Sequence, residues 1–435
     1  MKMSRLLSAI IAILLVSTTL FVACNGCATN KPAEKKIVIW HWMNDRKAAF
    51  DVLAQKYKDQ TGITVEFMLF SPADIYTQKV VAAARAGKLP DIFGILGEKS
   101  TVASFINAGH ILDLTPYMTQ DNQSWQNRFY PQTLNVVTFD NTNSYGVKPG
   151  VYGVPIDTTL HLFVYNKSLF KQAGLNPDNP PKTFDEFIRD AKLIKEKTGA
   201  EGFMGGWAEG WMLNVLATEW AINVMGEDQF YKTIKGDIPY SDPKWVEVFS
   251  LFAKLREANI LSPNITTTIN KEAEDAFSKN KAAFSFNGTW AVNVYKQLAP
   301  NLDYGFFALP QISANYPVKV WGGAGSSFRV SAKSTNATEA VNFLKWLTSY
   351  DQQIYLIEQT NNLPSINQCE DKLPAMLKDL ASNLSNLTHD HVWPYNEDSR
   401  VVEIRDKNLQ QVVIGSKTPA DALKEIDEVK KRVAR

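Results

Sequence analysis

Hydrophobic and polar positions switch between two periods along this chain. The run Ile37-Val-Ile-Trp-His-Trp42 predicts a buried strand. Phe50, Leu53 and Tyr57 then recur at helical spacing, with Asn44 or Asp45 as the candidate cap and Gly62 as the stop. Ile63, Val65 and Phe67 alternate with polar residues, as a half-buried strand does. A helix over 72–85 ending before Gly87, a strand over 90–95 and a short helix over 100–108 extend the pattern. Strands alternating with helices predict a parallel sheet, with ligand bound beyond the strands' carboxyl ends.

The stretch 150–199 is the most ordered in its signals. Every residue of 159–165 is bulky or β-branched, which predicts a strand buried on both faces. Ser168 is placed to cap the short helix that follows, and Gly174 to end it. Beyond Pro180-Pro181, Thr183 and Glu186 have the spacing of a capping box. Phe184, Phe187, Ile188, Ala191 and Ile194 then follow a helical period up to Gly199. Further helices are expected around 215–224, 244–258, 272–279 and 338–347, with a strand after Lys281.

Composition narrows the class. The chain has 45% hydrophobic and 21% charged residues and a net charge of +1, a globular balance with no field for nucleic acid. Aromatic residues are plentiful: 11 Trp, 15 Tyr and 23 Phe. Lys2 and Arg5 precede an apolar run that ends at Ala23-Cys24, so residues 1–23 read as a signal peptide. The polar segment 24–36 reads as a flexible tether. Roughly 400 residues remain, too many for one core, and two domains are expected. Cys27 and Cys369 make no disulfide framework or metal site, and Cys369 is expected to be inert. His389 and His391 lack a third ligand at a recognisable spacing, and Gly322, Gly323 and Gly325 lack the lysine of a phosphate loop. No cofactor or metal is expected.

Several motifs in order carry a resemblance: Gly87-Lys-Leu-Pro90-Asp91, Tyr152-Gly-Val-Pro155, Tyr165-Asn-Lys167, Ala173-Gly174, Asn287-Gly-Thr-Trp290 and Leu363-Pro364. The chain resembles the sugar-type extracellular solute-binding proteins of ABC importers, solute-binding family 1, from Ile37 to Leu423. The resemblance implies an α/β fold of two lobes, each a mainly parallel sheet flanked by helices, hinged by about three crossovers. The lobes are placed at 37–158 with 306–362, and at 159–305 with 363–435. It implies capture of a carbohydrate, mono- or oligosaccharide, and delivery to permease subunits served by a cytoplasmic ATPase, without catalysis. A monomer is expected. Cys24 resembles a lipoprotein processing site, although Phe21 stands where that motif usually carries Leu. A lipidated Cys24 would anchor the protein to a membrane at the periplasmic or extracellular face of the cell envelope.

Sugars offer apolar ring faces and a belt of hydroxyls, which proteins meet with flat aromatic rings, carboxylates and amides. On the family's pattern the candidates are Trp42 and Asn44 after the first strand, Glu98 after the strand at 90–95, and Asp157 and Thr159 at the first crossover. The second lobe adds Trp207, Glu209, Trp211 and Trp290. Trp321 and Gly323 sit on a returning loop, and Trp393 is placed to reach over the cleft. Trp40 is expected in the core, and Asp91 to brace a strand end. Two other readings stand beside this one. A glycerol phosphodiester or polyol phosphate ligand would draw on Lys99 and Arg329. A secreted glycoside hydrolase would draw its two carboxylates from Asp157, Glu209 and Glu98.

Overall fold

The computed structural model describes residues 35–96, 99–143, 145–385, 387 and 397–433. The strands of its two main sheets are, in chain order, β1 (Lys36–His41), β2 (Thr64–Leu69), β3 (Ile92–Gly94), β4 (Val154–Pro155), β5 (Asp157–Asn166), β6 (Glu201–Met204), β7 (Ala282–Gly288), β8 (Tyr304–Phe307), β9 (Gly322–Ala324), β10 (Ser327–Val330) and β11 (Leu363–Pro364). The first sheet has the order β2-β1-β3-β10-β4 and the second β8-β5-β7-β6.

The expected parallel pairing holds for β1 with β2 and β3, and for β6 with β7. Elsewhere the sheets are antiparallel: β10 runs against β3 and β4 in the first, and the long strand β5 against β7 and β8 in the second. All ten residues of β5 are buried, and its two faces feed different cores. Leu160 and Leu162 pack with Ile37, Ile39 and Phe50 in the first core. Phe163 and Tyr165 pack with Phe187, Trp220 and Phe284 in the second. The amino-terminal half of β5 is flanked by β9 at Thr158, Thr159 and Leu160 and by β11 at Asp157 and Thr158. These three segments form the hinge.

Caps explain where the helices begin. Thr183 accepts from the Glu186 amide and Glu186 from that of Thr183, so the expected capping box forms on the helix Phe184–Thr198. Gly62, Gly174 and Gly199 take left-handed φ at helix ends, where a side chain would be strained. Two caps differ from expectation. The short helix Lys167–Ala173 is capped by Asn166, whose Oδ1 accepts from the Leu169 amide at 3.0 Å, because Ser168 already lies inside the first turn. Neither Asn44 nor Asp45 caps the helix Lys47–Thr61; both belong to a 3₁₀ turn, Asn44–Arg46, that precedes it.

Core packing crosses two of the expected lobe boundaries. The segment 309–321 is shared: Leu309 and Trp321 pack in the second core and Val320 in the first. The buried helix Gly210–Lys235 ties it to the second: Asn223 Oδ1 accepts from the amides of Ile312 and Ser313, and Glu219 Oε1 from that of Trp321. Leu363, Ile366, Leu373, Leu377 and Leu380 pack in the first core, not in the second where the sequence assigned them. The chain rejoins the second core at Val401. Asp91 braces strands as expected, with Oδ2 accepting from the Val38 amide and Oδ1 from Ser334.

Candidate functional site

The site is built around two indoles of the second lobe whose N–H groups are each held by a carboxylate. Trp211 opens the helix Gly210–Lys235, and its Nε1 donates to Glu209 Oε2 at 3.1 Å. Trp290 follows β7, and its Nε1 donates to Glu274 Oε1 at 2.9 Å. Asn270 joins the two carboxylates: its backbone N–H donates to Glu209 Oε1 at 2.9 Å and its side-chain amide to Glu274 Oε1 at 2.9 Å. The rings lie 6.2 Å apart and tilted by 52°, both half-buried. Gly288 makes the pose of Trp290 possible, since a Cβ there would fall inside the indole, 1.8 Å from its nearest carbon.

Beneath the pair lies His161 of β5, in edge contact with Trp211 at 5.7 Å and Trp290 at 5.2 Å. Burial pushes its imidazole down to about 3, so the ring is neutral. Glu274 is pushed up to about 7, chiefly by burial, against hydrogen bonds from Asn287 and Trp290 that favour the anion. His161, Asn270 and Glu274 were not among the expected site residues. A histidine inside an apolar run and a glutamate on an amphipathic helix carry no sequence signal of this role.

The first lobe approaches from the turn after β1. The side chains of Asn293 and Gln297, on the helix Ala291–Leu298 that starts after Trp290, donate to the Asp45 carbonyl at 2.8 and 3.2 Å. Trp42 is half-buried, tilted against Tyr76 at 5.1 Å, with its edge where a Cβ on Gly94 would lie. Asn44 is exposed and donates to Ser71 Oγ at 2.7 Å.

Five other candidates are buried. Trp207 is fully buried, packed against Phe203 and Phe252 in the second core. Trp321 is 3% exposed and bound through its backbone to Glu219 and His161. Asp157 is 2% exposed and forms an ion pair with Arg46, while its Oδ1 accepts from the Ser326 amide. Desolvating that carboxylate requires a partner, and Arg46 supplies it, so Asp157 ties the start of β5 to the turn after β1. Thr159 is buried with its hydroxyl against Gly325, and Gly323 pairs with it across the hinge. Glu98, Trp393, Cys24 and the histidines at 389 and 391 lie outside the described residues.

Among the described residues there is no group of three or more His, Cys, Asp or Glu able to hold a metal, and no helix long and apolar enough to cross a membrane. Lys99 donates to the Asn135 carbonyl, and Arg329 is 3% exposed with its guanidinium on Ser327. Cys369 is buried in the first core, and its thiol is pushed up to about 11, chiefly by burial.

The Multiple sugar-binding protein of Streptococcus mutans is 26% identical over 345 residues, covering 77% of this chain and 76% of its own. The diacetylchitobiose-binding protein of Streptomyces coelicolor is 27% identical over 393 residues, covering 88% and 86%. The ABC transporter solute-binding protein of Thermotoga lettingae, solved with α-D-tagatose, matches with a TM-score of 0.75 at 24% identity. It covers 92% of this chain and 100% of that one, and supports the two-lobed fold. Residues 52–382 match the family model of the bacterial extracellular solute-binding protein. A match over that much of the chain, on this hinged fold, makes the protein a member of the bacterial extracellular solute-binding family.

Proposed function

We propose that the protein captures a mono- or oligosaccharide between its lobes and delivers it to the permease subunits of an ABC importer. The observation that carries this reading is the Trp211–Trp290 pair with its fixed N–H edges. With the edges tied to Glu209 and Glu274, the indole faces are left as the packing surfaces, and carboxylates and amides stand at the rim to meet hydroxyls. Trp42 and Asn44 are the first lobe's contribution on closure. The relatives named for sugars support the same class of ligand. The engagement of Lys99 and Arg329 with protein oxygens gives a phosphate ligand no support.

The protein acts as a monomer without catalysis, at the outer face of a membrane, held there by a lipid on Cys24. Intact mass of the native protein checks the anchor: a mature terminus at an acylated Cys24 is expected, and an unprocessed Met1 rejects it. Function is tested by calorimetry and thermal melts with diacetylchitobiose, maltose and raffinose. Saturable binding that raises the melting temperature is expected, about 2.7 kcal/mol at ligand a hundredfold above Kd. Release of reducing ends, abolished by Glu209→Gln, would replace binding with hydrolysis.

A further inference from the structure

Glu274 lies on the helix Asn270–Ser278 and is 6% exposed. Three donors converge on its Oε1: the Trp290 indole at 2.9 Å, the Asn270 amide at 2.9 Å and the Asn287 amide at 3.0 Å. No described residue hydrogen-bonds its Oε2. A carboxylate accepts through both oxygens, on about four lone-pair sites, and this one is saturated by the protein on one side only. Other titratable groups facing it are Asp45 from the turn after β1, Glu209 at the start of the helix Gly210–Lys235, and Tyr295 on the helix Ala291–Leu298. None of these is a cation, so among the described residues Glu274 meets donors but no counter-charge.

We propose that Glu274 is a specificity-determining residue of the binding site: its Oε1 sets the attitude of the Trp290 ring, and its Oε2 accepts a hydroxyl of the sugar packed on that ring. This rests on the carbohydrate reading above. The same carboxylate thereby couples the aromatic and polar halves of recognition. A ligand that stacks but has no donor at that position leaves a buried acceptor unpaired, which is the costly way to lose a hydrogen bond.

The test uses the full chain in two measurements. The first needs no sugar and follows the indole ¹H–¹⁵N resonance of Trp290, assigned with Trp290→Phe, from pH 5 to 9. Protonation of Glu274 beside that N–H is expected to move the resonance with a midpoint near pH 7, and Glu274→Gln to abolish the titration. A resonance that does not titrate, or titrates equally in the variant, overturns the hold on the ring. The second is calorimetry at pH 6 and pH 8 with diacetylchitobiose, maltose and raffinose. The carboxylate is the better acceptor, so a sugar that binds the wild type should bind roughly five- to tenfold more weakly at pH 6 than at pH 8. Glu274→Gln, isosteric with the protonated acid, should bind at least tenfold more weakly than wild type at pH 8 and show no pH dependence. Equal affinity in variant and wild type, or a flat wild-type profile, overturns the ligand contact. If none of the three sugars binds the wild type, the carbohydrate reading and the Oε2 contact both fall, while the Trp290 resonance still decides the role of Oε1.

Discussion

Trp290 and Trp207 come from the same lobe, and their different settings predict opposite consequences of the same substitution. Trp290→Ala removes a half-buried ring from the site, and a loss near 2 kcal/mol of binding, roughly thirtyfold in Kd, is expected by calorimetry with a near-native apo melt. Trp207→Ala empties a core position and should cost about 3–5 kcal/mol of folding stability, seen in denaturant titration, with affinity kept in the folded fraction. Sequence alone cannot separate them, since both follow glycines near a strand end. What separates them is whether the backbone turns the ring toward the second core or across Gly288. The buried histidines predict an acid response. His41 and His161 are held near 4 and 3 by burial, whereas unfolded histidine titrates near 6.5, so the unfolded state binds more protons below that pH. Stability should therefore fall as pH drops through 6.5 toward 4, by on the order of 2–3 kcal/mol per histidine, and His161→Phe should flatten part of that slope. Glu274 works in the other direction. Its folded value near 7 exceeds the unfolded one near 4.5, so its contribution is present in acid and lost as pH rises between the two. Glu274→Gln should raise the melting temperature at pH 8 and leave it unchanged at pH 4.

Among the elements, the hinge strand β5 carries the most consequence. Its first residue, Asp157, is neutralised by Arg46 from the turn after β1, and both are buried. Arg46→Met strands a buried carboxylate and should cost about 3–5 kcal/mol in chemical denaturation, whereas Arg46→Met with Asp157→Leu should recover most of the loss. Recovery of nothing by the double variant would show that the pair acts through other contacts. The strand and most helices were legible in the sequence because their signals are local: an apolar run, a capping box, a glycine stop. The charge pair was not, because its members lie far apart in the chain and neither has a partner at a readable spacing. A cap at Asn166 instead of Ser168 is a two-residue ambiguity that only backbone conformation resolves.

At the scale of the molecule, the contacts of Asn293 and Gln297 with the Asp45 carbonyl tie one lobe to the other without touching a ligand. Each such bond is worth about 1 kcal/mol net, so losing both should move the open–closed balance roughly tenfold or more. Solution scattering of the Asn293→Ala, Gln297→Ala protein should show a larger radius than wild type, and its sugar affinity should fall with no site residue altered. An unchanged radius would assign closure to other contacts. The two-lobed plan was legible from the order of motifs, whereas the core each segment packs in was not. Ile312, Ser313 and Trp321 are tied to the second lobe by Asn223 and Glu219, buried polar groups about 90 to 100 residues away in the chain. The leucines at 363, 373, 377 and 380 fit either core by composition, and the packed structure places them in the first.

The tethered indoles also give the protein an optical consequence. Of its 11 tryptophans, Trp125, Trp207, Trp220, Trp245 and Trp321 are buried and will emit as core tryptophans whatever the site contains. Trp211 and Trp290 are half-buried, with edges pinned and part of each residue still exposed, so their emission should answer to occupancy. A sugar seated on them displaces water and should shift the intrinsic fluorescence to the blue. Binding would then be readable without any label, with Trp290→Phe removing much of the change.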